Sequence, residues 1–310
     1  MREGLEQKKE TQDFAKITEA MAKEVFAGYG PIYLDLTQAT PEEIEFATGR
    51  HMYKNTSLKK DGSVISDFWV TLEKKGVDVY KDKIEMIPMF VGGQGPVRVD
   101  RDCRTTVPRL WAVGDASALG CGWSGARSPG TVPAMGIPFA FTSGALAGES
   151  ASSAVKDLPA VAVDMGELKK KMAELCAPLK RDRGVTHREL FYEIHETTVP
   201  LKYNFFRKKE RLEEAIAKLR AVQEKLPSAV AKDFHQLAKV YEADGMATSG
   251  EITFRAALMR EESRGTHKRE DFPERDDDHW LKWIIVEQKD GEMRFRTEQV
   301  PLDRYKFKVK

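Results

Sequence analysis

Apolar residues at three-and-four spacing open the chain. Phe14, Ile17, Met21 and Val25 predict an amphipathic helix over residues 11–27, ended by Gly28 and Gly30. Residues 31–36 predict a short strand. Thr40, Pro41 and Glu43 form a helix-start pattern: a capping hydroxyl, proline in the first helical position, and an acid at the third. Residues 57–66 are polar and predict a loop, residues 68–72 fit either a strand or a helical turn, and residues 74–80 turn and re-enter. Residues 84–90 predict an apolar strand, followed at Gly92, Gly93 and Gly95 by a turn that needs positive φ. Residues 96–100 and 105–107 flank a polar turn and predict a hairpin. The stretch that organises the rest is residues 107–115, a short apolar strand ending in Gly114-Asp115. A glycine-rich loop to Gly130 and a helix of small residues to about Ala154 follow it.

Past a linker at residues 156–159 the pattern changes to long charged helices, predicted at 165–176, 186–197, 206–225, 229–244 and 248–260. Leu212, Ile216 and Leu219 make one apolar stripe, and residues 207–214 supply its solvated side. Such helices bury their stripes in a bundle. Residues 280–286, Gly291 and residues 294–296 predict a terminal β-hairpin. The fold class is α/β plus all-α: residues 1–83, 84–155 and 156–310 are expected as three domains.

The chain has 310 residues, 50 basic against 49 acidic, and a net charge of +1, so no global field favours nucleic acid or an acidic membrane. Cys103, Cys121 and Cys176 are odd in number and widely spaced, which disfavours a disulfide framework or a zinc site and makes a reducing cytoplasm the expected location. The first ten residues are too charged for a secretory signal. The uncharged run 131–148 falls short of the roughly 20 strongly apolar residues of a membrane span. It predicts a buried, sheet-packed helix, and no membrane insertion is expected.

Gly114-Asp115 places a carboxylate at a strand's carboxyl end, where open α/β sheets bind ligands. The nearby Gly120, Gly122 and Gly125 fit the GxGxxG spacing, but residues 126–130 delay the helix and Glu149 lies within it rather than after another strand. A dinucleotide fingerprint needs both features in a complete βαβ unit. Direct use of a nicotinamide cofactor is therefore disfavoured.

Four stretches, residues 28–37, 87–100, 110–148 and 262–281, resemble in order the flavoprotein subunits of succinate dehydrogenase and fumarate reductase, with aspartate oxidase and adenylylsulfate reductase as relatives. The resemblance covers the back half of that family; its opening βαβ unit has no counterpart here. It implies the remnant of a capping domain at 1–83, the C-terminal segment of an FAD-binding domain at 84–155, and the family's helical bundle with a terminal hairpin at 156–310. It also implies FAD contacts from Gly114, Asp115, Gly130, Thr131, Val132 and Ala134. Asp115 would accept hydrogen bonds from flavin-side hydroxyls. A helix starting near residues 131–134 would direct free N–H groups and its positive dipole end at the flavin ring. Arg127 stands near the family's Asn-Arg pair and would grip a substrate carboxylate or sulfate as a planar fork.

Two departures bear on the substrate. Pro88 stands where the family has its substrate histidine, and Phe14 where it has its proton-donating arginine. The expectation is hydride or electron transfer to or from a small anionic substrate other than fumarate. The expected partners are an N-terminal FAD-binding segment, in the same or a separate chain, and an iron–sulfur electron-transfer protein. A non-catalytic docking subunit is the alternative. The Ser and His of residues 262–267 resemble the family's helix-to-loop joint, where Arg264 and His267 tie the bundle to the cofactor domain or to a partner. Residues 274–279 predict a solvated turn. His51, His187, His195 and His235 are isolated and read as surface or helix-face residues.

Overall fold

The computed structural model describes residues 14–40, 56–58, 64–66, 71–72, 74–78, 81–87, 97–120, 136–159, 162–265 and 267–304. Two compact units make up the chain, Met1–Met89 and Phe90–Lys310.

In the first unit, helix α1 (Phe14–Phe26) buries Ala22 and ends at Gly28, whose φ of +86° and N–H to the Val25 carbonyl close the last turn. Strand β1 (Ile32–Leu34) pairs antiparallel with β4 (Ile84–Met86), Tyr33 opposite Glu85. Between them in sequence, β2 (Thr56–Leu58) and β3 (Val64–Ser66) pair antiparallel, Ser57 opposite Ile65. A hairpin therefore occupies ground predicted to be loop; its strands are too short and polar to show an apolar alternation. The helix start at residues 40–43, His51, Pro88 and the glycine turn at 92–96 lie largely or wholly outside the described residues.

The second unit begins with turns rather than the predicted hairpin. Asp100 Oδ1 accepts from the backbone N–H groups of Asp102 and Arg104, both at 2.9 Å, and the chain then folds back so that Thr105 N–H meets Leu110 O. The predicted strand before Gly114 is reduced to one antiparallel bridge, Arg104 with Trp111, and residues Gly114–Gly120 form a 3-10 helix where a loop was expected. Extended backbone becomes a strand only where a neighbour supplies a ladder. Among the described residues Trp111 has only Arg104. Helix α2 (Gly136–Ala154) follows.

Helix α3 (Met165–Leu175), exposed throughout, precedes the bundle, which comprises α4 (His187–Thr198), the single turn α5 (Leu201–Asn204), α6 (Lys209–Lys225) and α7 (Phe234–Met259). A capping box starts α4: Glu189 N–H donates to Thr186 Oγ1 and Thr186 N–H to Glu189 Oε2. The predicted stripe is the core of α6. Leu212, Ile216 and Leu219 pack with Leu190, Ile194, Tyr203, Val240 and Phe254. Arg207, expected on the solvated side, is buried instead. A one-turn helix, α8 (Asp277–Trp280), leads into the antiparallel strands β5 (Lys282–Lys289) and β6 (Glu292–Gln299). Their turn, Asp290-Gly291, has φ of 56° and 82°, the left-handed pair that matches strand twist in a two-residue hairpin.

The predicted break between residues 244 and 248 is absent, for α7 runs unbroken through Gly245 and Gly250. Gly250 is a contact point: a Cβ there would lie 2.8 Å from Leu219 Cδ1 and 3.5 Å from Thr198 Cγ2. Gly250→Leu is expected to lower the unfolding free energy by about 1–3 kcal/mol through overpacking. Gly245, with nothing within 4 Å of its built Cβ, is expected to gain roughly 0.5–1 kcal/mol as alanine. Urea unfolding of both variants checks the pair; a loss at Gly245 or a gain at Gly250 would refute the packing account.

Candidate functional site

Small residues let the 97–120 segment press onto α2. Ser143, buried on α2, accepts the Gly114 N–H at 3.0 Å and donates its own proton to Phe139 O at 2.7 Å. Ser150, about two turns on, accepts from Trp111 Nε1 at 2.9 Å and Arg104 Nε at 3.0 Å. Gly114 has φ +57°, and a Cβ there would sit 3.4 Å from Ala140 Cβ. Glycine therefore suits this turn by backbone freedom, since a Cβ at that distance would make ordinary van der Waals contact. Ser117 Oγ caps back to Gly114 O at 3.2 Å. From this clamped base Asp115 emerges exposed, its carboxylate without a partner among the described residues.

The structure thus brings together two of the predicted cofactor residues, Gly114 and Asp115, beside the predicted helix. Arg127, Gly130, Thr131, Val132 and Ala134 lie outside the described residues. So does any helix start before Gly136. Arg98 ties this segment to the terminal hairpin, its Nη2 2.7 Å from Glu298 Oε1 and its Nη1 paired with Glu298 Oε2.

A second constellation lies at the far end of α7. The Glu262 side chain is fully buried and receives Arg260 Nη1 at 2.6 Å, Arg264 Nε at 2.8 Å and Nη2 at 2.9 Å, and the Asp276 N–H at 2.9 Å. Burial alone would raise its pKa, but these donors more than offset that and hold the carboxyl below its ordinary value. Arg264 also reaches Asp277 Oδ1 at 2.6 Å. Arg260 donates to the Trp280 and Lys282 carbonyls. Arg269 caps the end of α7 through the carbonyls of Ala257, Leu258 and Arg260 and makes a two-pronged pair with Asp271 at 2.7 Å on both prongs.

His267 sits inside this cage. Arg207 Nη1 lies 2.9 Å from its Nδ1, and its Nε2 lies 3.2 Å from Arg260 O. A guanidinium can only donate, so Nδ1 accepts and the proton is on Nε2. Burial, then the nearby Arg207 charge, pushes the His267 pKa down to about 3. Burial, then Arg269, pushes Arg207 down to about 10. Arg207 Nε is buried without a partner among the described residues.

Ser263 hydrogen-bonds Arg269 O, Arg269 N–H and Phe272 O, not His267. The pair therefore has none of the geometry of a nucleophile and its base. Arg264 and His267 were expected to tie the bundle to the cofactor domain or a partner. Within this chain they join the C-terminus of α7 to the segment before α6 and to α8, because their donors meet internal acceptors at short range. Arg207, Arg260 and Arg269 were missed by sequence reasoning. The signal available was a run of arginines alternating with acids over residues 260–277.

Residues 196–310 match the family described as fumarate reductase flavoprotein C-term. An uncharacterized FAD-dependent oxidoreductase of Methanocaldococcus jannaschii is 26% identical over 281 residues, 88% of this chain and 46% of the relative. A fumarate reductase (CoM/CoB) chain of Methanothermobacter marburgensis is 28% identical over 219 residues, 69% of this chain and 38% of the relative. The solved E. coli quinol fumarate reductase flavoprotein superposes with a TM-score of 0.70 at 22% identity, covering 96% of this chain and 50% of that one. The chain thus spans less than half the length of these curated relatives. Among the described residues, no helix is long and apolar enough to cross a membrane.

Proposed function

We propose that this chain, whose residues 196–310 match the fumarate reductase flavoprotein C-terminal family, forms the flavin-facing C-terminal portion of an FAD-dependent oxidoreductase. The observation that carries the reading is Asp115, an exposed carboxylate with no partner among the described residues, on a base fixed by Ser143, Ser117 and Gly114. Asp115 fits an FAD, since the acid is free to accept hydroxyl hydrogen bonds.

FAD, when bound, supplies the hydride or electron acceptor and donor. The chain's own contribution is to bind and orient. Asp115 would accept from the sugar-like hydroxyls, and Gly130, Thr131, Val132 and Ala134, outside the described residues, would hold the flavin with it. Arg127 holds a carboxylate or sulfate of the substrate. The substrate is a small anion other than fumarate, a reading supported by Pro88 and Phe14 in place of the family's histidine and arginine. In this reading residues 1–83 are the remnant of a capping domain, residues 84–155 the C-terminal segment of an FAD-binding domain, and residues 156–310 the helical bundle with its terminal hairpin. An N-terminal FAD-binding segment, in the same or a separate chain, would complete the site, and an iron–sulfur subunit would exchange electrons with it.

The test is a flavin titration followed by visible absorption, with wild type and Asp115→Ala, each chain alone and co-expressed with the N-terminal half of the M. jannaschii relative. Loss of hydrogen bonds to a charged acceptor is worth about 1.5–3 kcal/mol, so the substitution is expected to weaken FAD by roughly tenfold to a hundredfold. Unchanged affinity in Asp115→Ala would remove that residue from the site. No shifted flavin spectrum under any of these conditions would overturn the reading in favour of a docking subunit.

A further inference from the structure

Every residue of α3 is exposed, although its sequence is that of a helix with something to bury. Met165, Leu168, Met172 and Leu175 recur at alternating three- and four-residue intervals, the a and d positions of a heptad, and are 57%, 43%, 53% and 47% exposed. Asp164 caps the helix start through Oδ1, and Tyr241 donates its hydroxyl proton to Leu175 O at 2.8 Å at the other end. Nothing described covers the stripe between these anchors. A helix of 11 residues is below the roughly 12–15 at which even good isolated helices become marginal in water. A fully exposed one with four large apolar side chains in register calls for an external cover.

The flanking charges say what covers it. Lys169 and Lys171 occupy the e and g positions, one on each edge of the stripe; Lys171 lies 3.5 Å from Glu174, an exposed pair of the kind that contributes little in water and can exchange for a partner's acid. A second copy of this chain would bring the same lysines to the seam. Asp164, the acid beside it, is already held by the Gly166 and Glu167 N–H groups. We propose that α3 is the docking surface for an amphipathic helix of another protein whose apolar stripe is bordered by acidic residues. Met165 and Met172 suit such a surface, since thioether side chains adapt their shape to a partner.

Two labelled synthetic helices test this, both with leucine at every a and d position, one with glutamate and one with lysine at every e and g position. In fluorescence anisotropy the 310-residue chain is expected to bind the glutamate-edged helix at least roughly tenfold more tightly, with salt reducing the difference. Met172→Glu is expected to abolish binding, and the Lys169→Glu/Lys171→Glu double variant to reverse the preference. These positions are exposed, so circular dichroism should match wild type. Equal affinity for both helices, binding that survives Met172→Glu, or no binding to either would overturn the proposal. A wild-type dimer in sedimentation that Met172→Glu dissociates would overturn it in favour of self-pairing.

Discussion

Glu262→Ala is expected to lower the unfolding free energy by about 3–5 kcal/mol, the cost of leaving a buried charge pair without one partner. Glu262 is the hub for two guanidiniums and one backbone N–H, with its side chain fully buried. Without it, Arg260 keeps the Trp280 and Lys282 carbonyls but loses its counter-charge, and Arg264 keeps Asp277, which is half exposed, and a long contact of 3.5 Å to Asp276 O. The loss should appear in urea unfolding as a lower midpoint with an unchanged slope, since the exposed surface of the unfolded chain is the same. Glu213→Ala, at an exposed position on α6, should stay within about 0.5 kcal/mol. A loss below about 1 kcal/mol for Glu262→Ala would mean that water reaches the cage and the pairs are worth little.

The same cage shows where the sequence speaks and where it falls silent. Apolar stripes are legible because they report burial directly: Leu212, Ile216 and Leu219 lie in the core as their spacing requires. The terminal hairpin was legible because Gly291 sits between two runs rich in strand-forming residues. Charge is ambiguous in a way that apolar spacing is not. Arg207 stands in a run of lysines and glutamates and reads as solvated. Only the fold brings His267 and the end of α7 against it.

Glycine misled in the opposite sense, since Gly245 and Gly250 look like a helix stop while one of them is a crossing point against α6. At the candidate site the turn at Gly114 is present, but the strand predicted to lead to it is not. A strand depends on neighbours that a local reading does not contain. The single bridge at Trp111 and the two serines of α2 do the positioning instead.

Acid should destabilise the protein well before its carboxylates protonate. His267 has a folded pKa of about 3 against an ordinary value near 6.5. Between those values the unfolded chain binds a proton that the folded one refuses, so stability is complete above about pH 6.5 and falls as the pH drops towards 3. The limiting slope is about 1.4 kcal/mol per pH unit, which gives a loss of about 2–3 kcal/mol between pH 6.5 and 4.5. The carboxyls of Glu262, Asp271 and Asp277 are held below their ordinary values by the arginines around them, so their contributions are lost at lower pH. Unfolded carboxylates begin to take up protons below about pH 5, so the window from about 5 to 6.5 isolates the histidine from these acids. His267→Gln keeps an acceptor for Arg207 and an N–H donor for Arg260 O but cannot titrate. Its stability, from urea unfolding at several pH values, should be flat across that window. A wild-type curve equally flat would show that His267 takes up its proton in the folded state, which the Arg207 charge 2.9 Å from Nδ1 argues against.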